Sequence, residues 1–216
     1  MDIVIAGAHG SIARHLNRKL ALAGHAARGI VRDAAHVDDL HDDGVTPVVL
    51  DLEEASVAQV GSAIAGADAV VFAAGAGPGS GAPRKETVDY GAAVLLRAAA
   101  EQVGVPRYVM VSAMGVDDPP QDDEVFSVYL RAKQRADADL MASDLAWTIV
   151  RPGGLTDEPG TGHVEVAPSV ARGRIPREDV ASLLRAVLED PETAGVCVEA
   201  VSGPTPIAEA VATLRS

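Results

Sequence analysis

A phenol and an ammonium one helical turn apart are the residues best suited to chemistry in this chain: Tyr129-Leu130-Arg131-Ala132-Lys133. A spacing of four puts both side chains on one face of a helix. Ala132, Ala136 and Leu140 share that face, whereas Arg131, Gln134 and Arg135 share the opposite one. Lys133 therefore falls on the small, sheet-facing side, where an ammonium without a partner is costly. A lysine kept there has a use: its charge lowers the pKa of Tyr129. Tyr129 can then give a proton to a substrate oxygen, or take one from it. Ser112, at the tip of the apolar run 107–112, is placed to orient that oxygen by a hydrogen bond. The alternative is a Tyr–Lys pair at a partly exposed helix edge, with no chemistry.

A second signal lies near the start, in Asp2-Ile3-Val4-Ile5-Ala6-Gly7-Ala8-His9-Gly10-Ser11-Ile12-Ala13. A short apolar run ends in glycines three apart and opens into a helical pattern, the arrangement that holds a dinucleotide pyrophosphate. Gly7 sits where the strand turns sharply, Gly10 where the chain approaches the phosphates, and Ala13 where helix and strand pack closely. The amides of residues 9–12, including those of His9, Ser11 and Ile12, are expected to be free donors aimed at the anion. The His9 side chain is read as a tolerated loop residue. With a dinucleotide in place, Lys133 can also bond the nicotinamide ribose, and the proton moved by Tyr129 accompanies a hydride.

The tip of the second strand, Gly29-Ile30-Val31-Arg32-Asp33, bears on which nucleotide is taken. An acidic residue there favours NAD, whereas arginine meets the 2′-phosphate of NADP. Arg32 comes first after the apolar run and Asp33 can cap the next helix, so NADP is expected rather than NAD. Arg14 is a candidate second cation or a solvated surface residue. Asp51 and Leu52, past the third strand, are candidate contacts near the adenine, although Asp51 can equally be a helix cap. Ala73, Ala74 and Gly75, at and just past the end of the fourth strand, complete the expected cofactor contacts.

The elements that must position these groups alternate along the chain. Strands are expected at 2–6, 27–31, 46–50, 68–73, 107–112, 146–151 and 196–201. Helices are expected at 11–23, 33–42, 56–65, 84–103, 125–143, 177–190 and near 206–214. Such alternation predicts an α/β fold, a doubly wound parallel sheet of the Rossmann type. The 216 residues are read as one domain, with a small substrate-side region built from loops around 75–85, 113–124 and 152–176. Helix capping and solvation account for the acidic charge of the middle loop.

A net charge of −13 argues against a nucleic-acid partner. Cys197, the single cysteine, excludes an intrachain disulfide and a cysteine metal cluster, and lies in a β-like run as a core residue. No metal is expected, since no cluster of ligating residues has the right spacing. His163 is a loop histidine left outside the site. With no bilayer-length apolar stretch and no basic region before the first apolar run, the expectation is a cytoplasmic protein that takes a small molecule and does not engage a membrane.

On these residues the chain resembles the short-chain dehydrogenase/reductase superfamily, in its compact atypical branch related to NmrA-like and biliverdin/flavin-reductase-like proteins. The resemblance spans essentially the whole length. Gly7, Gly10 and Ala13 are similar to the extended glycine pattern, with Gly-Ala-His-Gly where Gly-Ala-Thr-Gly is usual. Val31-Arg32-Asp33 looks like the NADP-selecting tip. Ser112, Tyr129 and Lys133 match the superfamily's Ser, Tyr and Lys. The resemblance alone adds two residues. Asp89 falls where a catalytic asparagine is usual and could, as the carboxylate, hold water or Lys133. Pro152, in Arg151-Pro152-Gly153-Gly154-Leu155, belongs to a segment like the one that covers the nicotinamide.

The implied function is NADP(H)-dependent oxidation and reduction of a small carbonyl, quinone-like or sugar-like substrate, with Tyr129, Lys133, Ser112 and Asp89 assisting hydride transfer. The alternatives are an NADP-sensing binding protein without turnover that regulates a partner, and an NAD(P)-dependent epimerase.

Overall fold

The computed structural model describes residues 1–77 and 79–215. The chain opens with β1 (Asp2–Ala6), α1 (Ser11–Leu22) and β2 (Ala26–Val31). A 3-10 turn (Ala34–His36) then leads into α2 (Val37–Asp42), β3 (Thr46–Val49), α3 (Val57–Ile64) and β4 (Ala69–Phe72). Next come the single turn α4 (Ala82–Arg84), a π-helical stretch (Lys85–Ala92), α5 (Ala93–Val103), β5 (Arg107–Val111), α6 (Val125–Met141) and β6 (Ala146–Pro152). The last part holds β7 (Gly154–Thr156), β8 (His163–Ala167), β9 (Arg174–Pro176), α7 (Arg177–Glu189), β10 (Val196–Ser202), β11 (Thr205–Pro206) and α8 (Ile207–Ala212).

Among the described residues, nine strands form one sheet in the order β11-β8-β10-β6-β5-β4-β1-β2-β3. From β3 through β10 every pair is parallel. Side chains of successive strand residues point to opposite faces, and in β1 both faces are apolar. Ile3 and Ile5 pack with Leu16 and Leu20 of α1 and with Val180 and Leu184 of α7. Val4 and Ala6 pack on the other side with Val60 of α3, Leu96 of α5 and Leu140 of α6. The sheet is thus covered on both faces, as its near-continuous apolar strands require. Strand order reverses between β1 and β4, and a crevice opens where the chain leaves their carboxyl ends in opposite directions.

Three sequence expectations need correction. The sheet is not wholly parallel: β8 runs antiparallel to β10, and β11 antiparallel to β8. In β8, buried Val164 stands beside exposed Glu165, the one-sided burial that antiparallel edges tolerate. The segment 152–176 is more ordered than a loop, because β7 pairs with β9 and β8 joins the main sheet. The helix expected over 84–103 is regular only from Ala93, and its first part is the π-helical stretch. No described helix is long and apolar enough to cross a membrane.

Candidate cofactor cleft and active site

The turn between β1 and α1 is built around Gly7, whose φ is +79°. A Cβ there would also lie 2.5 Å from the Cα of Ala74, so the site has room only for glycine. The Gly10 amide donates to the Gly7 carbonyl (2.9 Å) and closes the turn, which removes it from the donors expected to be free. The amides of His9, Ser11 and Ile12 remain ahead of the first intrahelical bond, from the Arg14 amide to the Gly10 carbonyl (2.9 Å). Neither a side-chain cap nor an acidic residue occupies this first turn. The positive end of α1 is therefore open to an anion.

In front of it lies a cleft of about 350 Å³ at the carboxyl ends of β1–β4. Of the expected contacts, Gly7, His9, Gly10, Arg32, Asp51, Leu52, Ala73, Ala74 and Gly75 line it. Ser11, Ile12 and Pro152 do not; the first two face it only as residues of the α1 terminus, and Pro152 is paired in β6 against Ala200. The His9 ring stacks on His36 at 3.6 Å and lies 2.8 Å from Asp39, so its side chain fixes the loop. Arg14 is not a spare cation, because it bonds both oxygens of buried Asp43 and lies 3.2 Å from Asp39. Asp33 caps the following turn through the Ala35 amide (2.9 Å). Asp51 accepts the Glu53 amide (2.9 Å) as a turn residue while also lining the cleft.

The rim beside Arg32 carries groups that the sequence reading did not single out. Glu53 accepts from Arg32 (3.3 Å), from Arg84 (2.6 Å) and from the Thr87 hydroxyl (2.6 Å). The Arg84 hydrogen bond, with Thr87 and the nearby charges, holds its carboxyl below the usual glutamate value. Arg84 sits three residues past Gly81, and only its return to the β3 turn in space makes it visible.

The Tyr–Lys face of α6 lies beyond this cleft. Asp89, fully buried in the π-helical stretch, accepts the amide of the cleft residue Ala76 (3.3 Å) and lies 3.6 Å from the Lys133 ammonium. Lys133 is buried as expected, donates to the Val111 carbonyl (3.1 Å), and stands 5.1 Å from the Phe72 ring centroid. Burial lowers its pKa, against the opposing charges of Asp89 and Asp137. Sequence spacing leads to the expectation that Lys133 acidifies Tyr129; in the structure burial, then Asp89 and Asp137, push the phenol up. Lys133 spends its charge on Asp89, so the field at the phenol comes from the carboxylates.

Ser112 is buried beside Asp137 and makes no regular side-chain hydrogen bond among the described residues. Asp137 pairs with Arg151 (2.8 Å), which reaches Asp117 in the acidic loop (2.9 Å). Asp117 thus has a partner beyond the capping and solvation expected of that loop. Burial raises the Asp137 carboxyl despite Ser112 and Arg151. Spacing could have revealed Asp137, which follows Lys133 by one more turn on the same face. Lys85 was also missed; its buried ammonium donates to the Gly77 carbonyl (2.9 Å) and lies 5.5 Å from the Tyr129 ring centroid. Cys197 is half-buried, its thiol pushed up to about 11 chiefly by burial, in keeping with a packing role.

A doubly wound sheet with a glycine turn, an open helix terminus and a cleft at its strand reversal defines a dinucleotide-binding protein of the Rossmann class. Residues 7–191 match the model of the NAD(P)H-binding family, and the chain belongs to that family. A Bacillus subtilis protein described as an uncharacterized sugar epimerase, YhfK, is 36% identical over 98% of this chain and 99% of its own. Among solved structures, a Bacillus halodurans protein provisionally assigned as an NAD-dependent epimerase/dehydratase superimposes with a TM-score of 0.93 at 39% identity, covering 99% of this chain and 100% of that one. A Veillonella parvula short-chain dehydrogenase/reductase solved in complex with NADP shares the fold, with a TM-score of 0.74 at 19% identity over 95% of this chain and 96% of that one.

Proposed function

We propose that the protein is an NADP(H)-dependent oxidoreductase that reduces a small carbonyl or quinone-like acceptor, with Tyr129 as proton donor. One observation carries this reading: Tyr129 stands one turn from Lys133 on α6, Lys133 lies 3.6 Å from Asp89, and Asp89 is bonded to the cleft residue Ala76. The cofactor fits the residues present, since the turn at Gly7 excludes any side chain and the α1 terminus offers free amides to a diphosphate.

The nicotinamide, when bound, supplies the hydride. The chain supplies the rest. Tyr129 gives its proton to the acceptor oxygen as negative charge develops there. Lys133 and Asp89 hold the loop after β4 against α6, and Arg32 meets the 2′-phosphate. Phe126, 64% exposed, stacks on Tyr129 with centroids 5.8 Å apart. This apolar platform suits a planar conjugated acceptor better than a polyhydroxylated one.

The test is NADPH oxidation against a panel of carbonyls and quinones, wild type beside Tyr129→Phe. A loss of roughly a hundredfold in kcat is expected for the variant, within the usual range for a general acid. Equal rates would remove Tyr129 from the mechanism. The descriptions of the two Bacillus relatives favour a second reading, an epimerase, which would turn over a sugar substrate without net consumption of NADPH.

A further inference from the structure

The Glu53 cluster at the adenosine end of the cleft has the form of an anion site filled from within. Its three donors come from separate parts of the fold: Arg32 past β2, Arg84 at the end of α4, and Thr87 in the π-helical stretch. Both guanidiniums reach one oxygen, Oε2, while Thr87 holds Oε1, which Arg84 Nε also approaches at 3.5 Å. Arg32, Glu53 and Arg84 all line the cleft, beside apolar Val31, Leu50 and Leu52 that suit an adenine. Arg32 is the less constrained cation, with a side chain 56% exposed and a single 3.3 Å contact to Glu53. Arg84 makes the closer contact at 2.6 Å.

We propose that the Arg84–Glu53 pair sets the choice between the two pyridine dinucleotides: Glu53 occupies the guanidiniums at the adenosine end, and the 2′-phosphate of NADP takes its place on them. This rests on the reading of the cleft as a pyridine-dinucleotide site and extends it to a residue, Arg84, outside the strand tip. A phosphate monoester brings three acceptor oxygens and nearly two charges, against two oxygens and one charge for the carboxylate. Guanidinium geometry suits either group, so the exchange keeps both arginines paired. NAD has no group to displace Glu53 and leaves the pair intact. The residue therefore tempers NADP affinity while leaving NAD nearly untouched.

The experiment is calorimetric titration of the full chain with NADP⁺ and NAD⁺, for wild type, Glu53→Gln and Arg84→Gln. Adenosine 2′,5′-bisphosphate and 5′-AMP serve as probes of the subsite without the nicotinamide. Removing the competing negative charge predicts roughly tenfold tighter NADP⁺ for Glu53→Gln. Losing the Arg84 contact predicts at least about tenfold weaker binding. NAD⁺ and 5′-AMP should change less than about twofold in both variants, and adenosine 2′,5′-bisphosphate should follow NADP⁺. A ratio of the two affinities that stays within twofold of wild type in either variant overturns the proposal. So does Glu53→Gln that weakens NAD⁺ selectively, because Glu53 would then be a ribose-hydroxyl acceptor. Failure of wild type to bind any of the four ligands would instead sink the dinucleotide reading, and that result precedes any variant.

Discussion

The Asp89–Lys133 pair can be tested by a double-mutant cycle whose outcome follows from its burial. Lys133 is 3% exposed and Asp89 is 0% exposed. Lys133→Met keeps the chain length and removes the ammonium, leaving a carboxylate in the core whose hydrogen bond among the described residues is the 3.3 Å contact from the Ala76 amide. Breaking a buried pair from one side costs about 3–5 kcal/mol. The 3.6 Å separation places this pair at the lower end, at about 3 kcal/mol. For a domain of this size that is a fall in Tm of roughly 6–12 °C. Asp89→Asn should cost less, about 1 kcal/mol, because burial already loosens the Lys133 proton and asparagine still accepts from Ala76. The double variant carries neither charge and should return to within about 1 kcal/mol of wild type. The coupling energy is then about 3 kcal/mol. Urea unfolding of the four proteins at neutral pH, with unchanged m-values, measures it. Additive single effects, with coupling under about 0.5 kcal/mol, would refute the pairing.

Three further outcomes follow. Gly7→Ala forces a Cβ at φ +79° to within 2.5 Å of the Ala74 backbone, and should lower stability by about 2–4 kcal/mol; an unshifted thermal melt would contradict the turn. Glu53 lies below its ordinary value of 4.5, so its contribution is full above that pH and is lost as pH falls through the folded-state value. Glu53→Gln should accordingly flatten the acid limb of Tm against pH, and a parallel limb would show that the Arg84 contact adds nothing to stability. Cys197, with its thiol at about 11, should alkylate at neutral pH at least about tenfold more slowly than a free cysteine. Mass spectrometry follows the reaction, and urea should abolish the difference.

Local chemistry carried much of the fold into view. The β1–turn–α1 unit, the parallel strands and the buried face of α6 follow from apolar runs and from spacings of three and four. The edge strands did not, since β7, β9 and β11 span two or three residues each and periodicity needs more. The π-helical stretch escaped because a wider turn over eight residues leaves no distinct pattern of apolar positions. At the site, the burial of Lys133 was legible from spacing and Asp89 entered only through the family resemblance, but the direction of the Lys133 charge was not legible. That depends on where Val111 and Asp89 arrive from other elements. Arg84 and Glu53 are 31 residues apart, and only the sheet brings them together.

The outermost strands, β3 and β11, each contain a proline, Pro47 and Pro206. Proline has no amide hydrogen to offer, and within sheets it is tolerated where that missing donor would face outward. A strand arriving from another molecule would find the ladder interrupted on either flank. Sheet-to-sheet polymerisation is thereby discouraged at both margins.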